Sequence, residues 1–219
     1  MPTNFHAAER LVSDFLTDEE QVDRLKKLWK DYGITVATAL VVGIGGVVGW
    51  DYIKSYQSGQ AQAAADLYTS YMEAAALGEP TSLIIEELEE EHGDSSYLTL
   101  TLMREAKAAV DASDYERALD ALKRASEAAE GTPLGDMVTL RKAKVEFELA
   151  DHEAVLETIQ SIETAGYRWQ AMVLKGDVHF SNDELDAARD AYRAAKEQLP
   201  DGFDSELVDM RVASVPPAP

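Results

Sequence analysis

The chain has 219 residues, 46% of them hydrophobic, and a formal net charge of −21 from 41 acidic against 20 basic groups. That apolar fraction argues against global disorder. The negative field repels nucleic acid, whose binding depends on Lys and Arg neutralising phosphates, and repels an anionic membrane surface. With no cysteine there is no disulfide or thiolate chemistry.

The charge is uneven along the chain. Residues 1–54 hold six basic and eight acidic groups, a net of −2; the remaining residues hold fourteen and thirty-three, a net of −19. Near the start, Thr17-Asp18-Glu19-Glu20 reads as a capping box, with Thr17 as N-cap and Glu20 at the third helical position. Val22, Leu25, Leu28, Trp29 and Tyr32 follow at helical spacing and predict a helix that runs into the next segment.

No charged residue lies between Asp31 and Asp51. Residues 32–50 span about 28 Å as a helix at about 1.5 Å per residue, close to a hydrocarbon core of about 30 Å. Trp29 and Tyr32 flank one end, Trp50 and Tyr52 the other, as an aromatic belt would. Arg24, Lys26, Lys27 and Lys30 precede the span, whereas Lys54, beside Asp51, follows it. The positive-inside rule therefore puts the N-terminus in the cytoplasm. A cleaved signal peptide fits less well, because some thirty residues precede the span. Ala61-Gln62-Ala63 lies too far downstream for a cleavage box. Ala39 with Gly43, and Gly45 with Gly49, are small-xxx-small pairs that would let a partner helix approach. They are equally the glycines ordinary in membrane helices. They are not a dinucleotide fingerprint, since Val48 stands at the third glycine position.

Glu19-Glu20-Gln21, Leu25-Lys26, Trp29, Tyr32-Gly33 and a Gly-rich span ending in Gly49-Trp50 resemble the start of the ancillary SecYEG translocon subunit family. The resemblance implies a bacterial inner-membrane protein with a periplasmic domain of tetratricopeptide-like (TPR) repeats. Residues 1–16 extend beyond that family's usual short tail.

An internal repeat follows. Its clearest unit runs over residues 169–200, where Gly176, Ala188, Tyr192, Ala195 and Pro200 fill the small, small, aromatic, small and proline positions of a TPR motif. Small residues are needed where paired helices cross closely, and proline ends the second helix. Ala106, Ala118, Leu122 and Ala125 form one weaker copy; Ala143, Val155, Ile159 and Ile162 form another. Positions 118, 155 and 188 lie 37 and 33 residues apart, near the TPR period of about 34. The turns Ser113-Asp114-Tyr115-Glu116, Asp151-His152-Glu153 and Asn182-Asp183-Glu184 offer caps for each second helix. Residues 55–78 and 81–92 would form a degenerate first pair, and residues 203–213 a terminal capping helix. Leu140-Arg141-Lys142-Ala143, Gly176-Asp177 and Ala188-Arg189-Asp190-Ala191-Tyr192 carry the family resemblance through the domain, to about residues 17–213.

The expected class is therefore all-α: a single N-terminal transmembrane helix followed by a TPR-like α-solenoid of helix pairs. Its parts are a cytoplasmic tail and juxtamembrane helix (residues 1–31), the transmembrane helix (32–52), the periplasmic domain (53–213) and a disordered tail (214–219).

Signals for chemistry are weak. His6, His92, His152 and His179 are scattered. Glu89-x-x-His92 has a di-iron spacing but lacks the second such pair and the further carboxylates. The acidic run Glu86 to Glu91 reads as a solvated helix end, without a calcium loop. His179 sits at an aromatic-type repeat position and is expected in the core. No catalytic motif is present, and no cofactor is expected.

The resemblance to TPR domains implies a groove lined by the first helix of each pair, including Met103, Val110, Met137, Leu140, Phe147, Val173 and Phe180. That is a mostly apolar strip in an acidic frame, and flexible thioethers suit varied apolar partners. The competing reading places each of these residues in the core. By resemblance, the partners are the SecYEG translocon and a membrane-anchored periplasmic chaperone of the prolyl-isomerase type, with no enzymatic activity. The alternative is an envelope scaffold, a homo-oligomer acting in cell division or stress signalling.

Overall fold

A computed structural model of the chain describes residues 18–216. The expected capping box at Thr17, the 1–16 extension, His6 and the last three residues of the tail lie outside the described residues.

All nine elements among them are helices, and none is a strand. The first, α1, runs unbroken from Asp18 to Leu77. No proline interrupts it, and the glycines of its apolar stretch are tolerated inside a long helix. It stops at Gly78, whose φ of +73° lets the chain turn left-handed. The amides of Gly78 and Glu79 then bond the carbonyls of Ala75 (3.2 Å) and Ala74 (2.9 Å), capping orphan carbonyls of the last turn.

The chain divides into two compact units, residues 1–59 and 60–219. In the first unit the apolar side chains of α1 face outward: Ile34 is 86% exposed, Val41 72% and Val47 71%. The best 18-residue window of this helix has a mean hydropathy of 1.8. Among the described residues it is the one helix long and apolar enough to cross a membrane. The expected transmembrane helix, residues 32–52, lies within the first unit. Ile53 and Tyr56 are still exposed, and core contact begins at Ala64.

The second unit contains the end of α1, then α2 (Ser82–His92), α3 (Ser96–Asp111), α4 (Tyr115–Ala128), α5 (Gly135–Glu148), α6 (His152–Gln160), α7 (Ala165–Ser181), α8 (Leu185–Glu197) and α9 (Glu206–Ser214). Helices α3 and α4, α5 and α6, and α7 and α8 pack as antiparallel pairs, and α9 closes the last one. Three successive layers of core hold them together. Leu88, Leu102, Leu122 and Val138 centre the first, Ala143, Val155 and Val178 the second, and Tyr192, Ala195 and Val208 the third. Fully burying a Leu or Val side chain contributes about 1.5–3 kcal/mol.

The three turns inside the pairs share one geometry. Ser113, Ala150 and Asp183 adopt φ values of +60°, +57° and +62°. The following amides, of Asp114, Asp151 and Glu184, bond carbonyls five residues back at 2.9, 3.0 and 2.8 Å. This is the same left-handed helix end that Gly78 makes after α1. Asp114 and Asp151 then cap α4 and α6, accepting from the amides of Arg117 and Ala154 at 3.2 Å each. The third turn departs from the expectation. Asn182 Oδ1 accepts from His152 Nδ1 (2.7 Å), and Glu184, at the N-cap of α8, holds His179 Nδ1 (2.5 Å) instead of capping. The ring of His179 is thus half-buried at the edge of its pair rather than sealed in the core.

The repeat signature explains how close the helices come. A Cβ on Gly176 would lie 2.3 Å from the ring of Tyr192, which is only 1% exposed. Ala118 and Ala188 are fully buried at the corresponding crossings.

Residues 214–216, expected to belong to a disordered tail, are packed on the domain. Ser214 ends α9, Val215 is 6% exposed in the third core layer, and the Pro216 carbonyl accepts a hydrogen bond from Arg189. Burial of Val215 anchors that stretch, a contact invisible in a Pro-rich composition.

Candidate functional site: a groove along the first helices of the pairs

Two neighbouring cavities run along α3, α5 and α7. The first, about 360 Å³, is lined by Met103 and Val110 of α3, Tyr115 of α4, and Arg141, Lys144 and Val145 of α5, among others. The second, about 300 Å³, is lined by Phe147 of α5, Trp169, Val173 and Asp177 of α7, and Leu207 and Arg211 of α9. Lys144 and Glu148 border both.

The groove residues named from the sequence separate here. Met103 and Val110 line the first cavity, Phe147 and Val173 the second. Leu140 does not line either: it is 3% exposed and packs with Ala143 and Val155 in the second core layer. Met137 packs against the first layer. Phe180 is 41% exposed at the end of α7 and is not among the residues lining these cavities. The physical reason is helix phase. On α5 the row facing the first cavity is Arg141, Lys144, Val145 and Glu148; Leu140 and Ala143 lie about one residue back, or 100° around the helix, in the core, whereas Phe147 reaches the second cavity.

That rotation replaces apolar side chains with cations, which the sequence reading missed. Arg141 had been visible only as part of a family-like tetrad. The available signal was the i, i+3, i+7 spacing of Arg141, Lys144 and Glu148. Arg141 Nη1 rests 3.4 Å from Met103 Sδ. Burial, and then the Arg141 charge, hold the Lys144 ammonium below its usual pKa. Burial pushes the Asp177 carboxyl up, against the hydrogen bond from Tyr192 (2.7 Å) and the charge of Arg211 (3.3 Å). The Tyr192 hydroxyl is raised by burial and by donating to Asp177.

The other titratable groups are structural. Tyr71 near the end of α1 is pushed up to about 12 by burial and by Glu105, to which it donates (3.4 Å). Tyr68 accepts from Arg104 (2.7 Å) and tilts against Tyr97, 5.7 Å between ring centroids. These contacts dock the end of α1 on α3. In the acidic run of α2, Glu89 is half-buried and paired with Arg124 of α4 at 2.7 Å, while Glu86, Glu87, Glu90 and Glu91 are exposed. His92 is 6% exposed in the helix's buried face. Among the described residues no group of three or more His, Asp or Glu is placed to hold a metal.

In the first unit, a Cβ on Gly43, Gly45 or Gly49 would meet nothing within 4 Å, and Ala39 is exposed.

Comparison with known proteins follows the same two parts. The chain is 25% identical over 183 residues to the ancillary SecYEG translocon subunit of Haemophilus influenzae, covering 83% of this chain and 90% of that protein. It is 26% identical over 197 residues to the Escherichia coli protein of the same name (89% and 95%), and 26% identical over 202 residues to that of Aggregatibacter actinomycetemcomitans (90% and 97%). No solved structure matches it significantly. The tetratricopeptide repeat-like domain family matches residues 26–216, nearly the whole of the described chain, and the protein belongs to that family.

Proposed function

We propose that the protein is an ancillary subunit of the SecYEG translocon, anchored in the bacterial inner membrane by residues 32–52 with its N-terminus in the cytoplasm. The repeat domain, on the periplasmic side, is a non-enzymatic interaction module that helps a prolyl-isomerase-type chaperone receive exported chains. The observation that carries this reading is the extent of the similarity. Relatives named ancillary SecYEG translocon subunit align over 83–90% of the chain, so the likeness takes in both the apolar helix and the repeats. The distribution of charge supports the orientation, because Arg24, Lys26, Lys27 and Lys30 cluster before the span and Lys54 follows it. The perturbed groups support a binding role: each is accounted for by packing, a hydrogen bond or an ion pair within the fold. The open face of Ala39, Gly43, Gly45 and Gly49 would be the surface for a neighbouring membrane helix.

Crosslinking in native membranes, followed by identification of the partners, tests the reading. Recovery of translocon subunits and a periplasmic prolyl isomerase is expected; their absence would reject it. A reporter fused at the C-terminus should be active in the periplasm and silent in the cytosol.

A further inference from the structure

We propose that the groove recognises an extended polypeptide segment in which one Asp or Glu side chain is flanked by apolar residues, with Arg141 and Lys144 receiving the carboxylate. The inference deepens the functional reading above by giving the chemistry of the chain that the domain would hold.

Charge is the first support. The whole chain carries 20 basic against 41 acidic residues, yet the two cavities together are lined by four cations, Lys107, Arg141, Lys144 and Arg211, and two acids, Glu148 and Asp177. The sign of the surface inverts in the groove. Two of the four cations are already engaged, Lys107 by Asp111 (2.5 Å) and Arg211 by Asp177 (3.3 Å). Arg141 rests on the thioether of Met103, and among the described residues neither Arg141 nor Lys144 makes an ion pair. These two adjacent cations repel one another, and burial together with that repulsion holds the Lys144 ammonium below its usual pKa. A carboxylate between them relieves that repulsion and makes charge-assisted hydrogen bonds.

The layout selects the form of the ligand. Lys144 borders both cavities, with Met103, Val110 and Val145 on one side and Trp169, Val173 and Leu207 on the other. A carboxylate at Lys144 therefore has apolar space in both directions along the groove. An internal acidic side chain fits this, whereas a chain terminus would leave one cavity empty. At about 360 and 300 Å³ the cavities admit side chains, not a whole helix, which is about 10 Å across. The acidic frame repels such segments at a distance, so recognition depends on contact in the groove and not on long-range attraction.

The full-length protein in detergent micelles is titrated into a fluorescein-labelled peptide with the core Leu-Val-Glu-Val-Leu, and into versions with Gln or Lys in place of Glu, followed by anisotropy. The Glu peptide should bind about tenfold tighter than the Gln peptide, the effect of one charge-assisted contact. The Lys peptide should bind more weakly still. The Arg141→Gln, Lys144→Gln double variant should bring the Glu peptide down to the level of the Gln peptide. Lys123→Gln, an exposed cation on α4, should change nothing. Lys144→Glu should move the preference to the Lys peptide, a gain that no unfolded variant produces. Equal binding of the Glu and Gln peptides, no binding of any, or an unchanged preference in the double variant would overturn the proposal. Loss of this preference with native translocon crosslinks intact would sink the inference alone; loss of the crosslinks with the preference intact would sink the functional reading alone.

Discussion

Residues 21–59 and residues 60–216 use the same apolar alphabet in opposite ways. In the first stretch Val, Ile and Leu point outward all round the helix, with Ile34 at 86% exposed. In the second, Leu88, Leu102, Val138, Val155 and Val178 are fully buried. Water tolerates the second arrangement and not the first. A helix apolar on every side has the length and composition to cross a membrane, the reading proposed above. The contrast teaches that apolar content alone does not locate a core; periodicity does. The span has no polar face, whereas α4 and α8 alternate buried alanines with exposed charges at helical spacing.

The largest effect should come from attacking the two halves separately. Val41→Arg with Ile44→Arg places two charges in the middle of the apolar stretch, at about 2.5–3.5 kcal/mol each on the insertion scale. Alkaline carbonate should then extract the protein, while thermal unfolding of the repeat domain stays where it was. Leu102→Ala should do the reverse. It leaves the protein in the membrane and destabilises the domain by about 2–5 kcal/mol, measured by denaturant unfolding.

Gly176→Ala sharpens the comparison inside the repeat domain. In the apolar helix an added methyl at Gly43 meets open space, but at Gly176 it meets the Tyr192 ring. Overpacking costs about 1–3 kcal/mol, and the better helix propensity of Ala returns about 1 kcal/mol at most. The melting temperature should fall by several degrees for Gly176→Ala and stay constant for Gly43→Ala.

A smaller effect is expected at Asp136. Its Oδ2 accepts from the amides of Thr164 (2.6 Å) and Glu163 (3.2 Å), and so ties α5 to the start of α7. Burial pushes this carboxyl up, but those bonds and Arg168 outweigh it and leave it below its ordinary 3.8. A depressed carboxylate stabilises the fold above its unfolded pKa, and the contribution is lost as pH falls through the folded value. Asp136→Asn should therefore lower the midpoint of thermal unfolding at neutral pH, and the difference from the parent should shrink toward about pH 3. A difference that grows on acidification would contradict this.

The smallest effect should be a gain. Ala150 holds a φ of +57°, a left-handed conformation that costs an L-residue about 1–2 kcal/mol and glycine almost nothing. Ala150→Gly should stabilise the domain by about 1 kcal/mol in denaturant unfolding, giving the middle turn the residue that Gly78 already supplies after α1.

Much of the architecture was legible because it rests on local rules. An uncharged stretch from residue 32 to 50 is long enough to cross a membrane, and small and large residues recurring at a period near 34 mark helix pairs. The Asp114 and Asp151 caps were readable for the same reason, since a cap bonds amides two or three residues away. The groove was less legible. Met103, Val110, Phe147 and Val173 line it, but Leu140, assigned to it on α5, lies one residue out of phase with Arg141 and packs in the core. A phase error on a helix is invisible when both candidate rows contain long side chains. Glu184, in a capping position by sequence, was taken by His179 across the turn.

Sequence alone determined the helices, the uncharged span and the pairing of repeats, because propensity, periodicity and capping act over a few residues. Tertiary structure alone decided which row of α5 faces the groove, that Arg141 and Lys144 meet there, and that Val215 closes the last core layer. Those outcomes depend on how the pairs rotate against one another as their cores pack, and that rotation is set by side chains far apart in the chain.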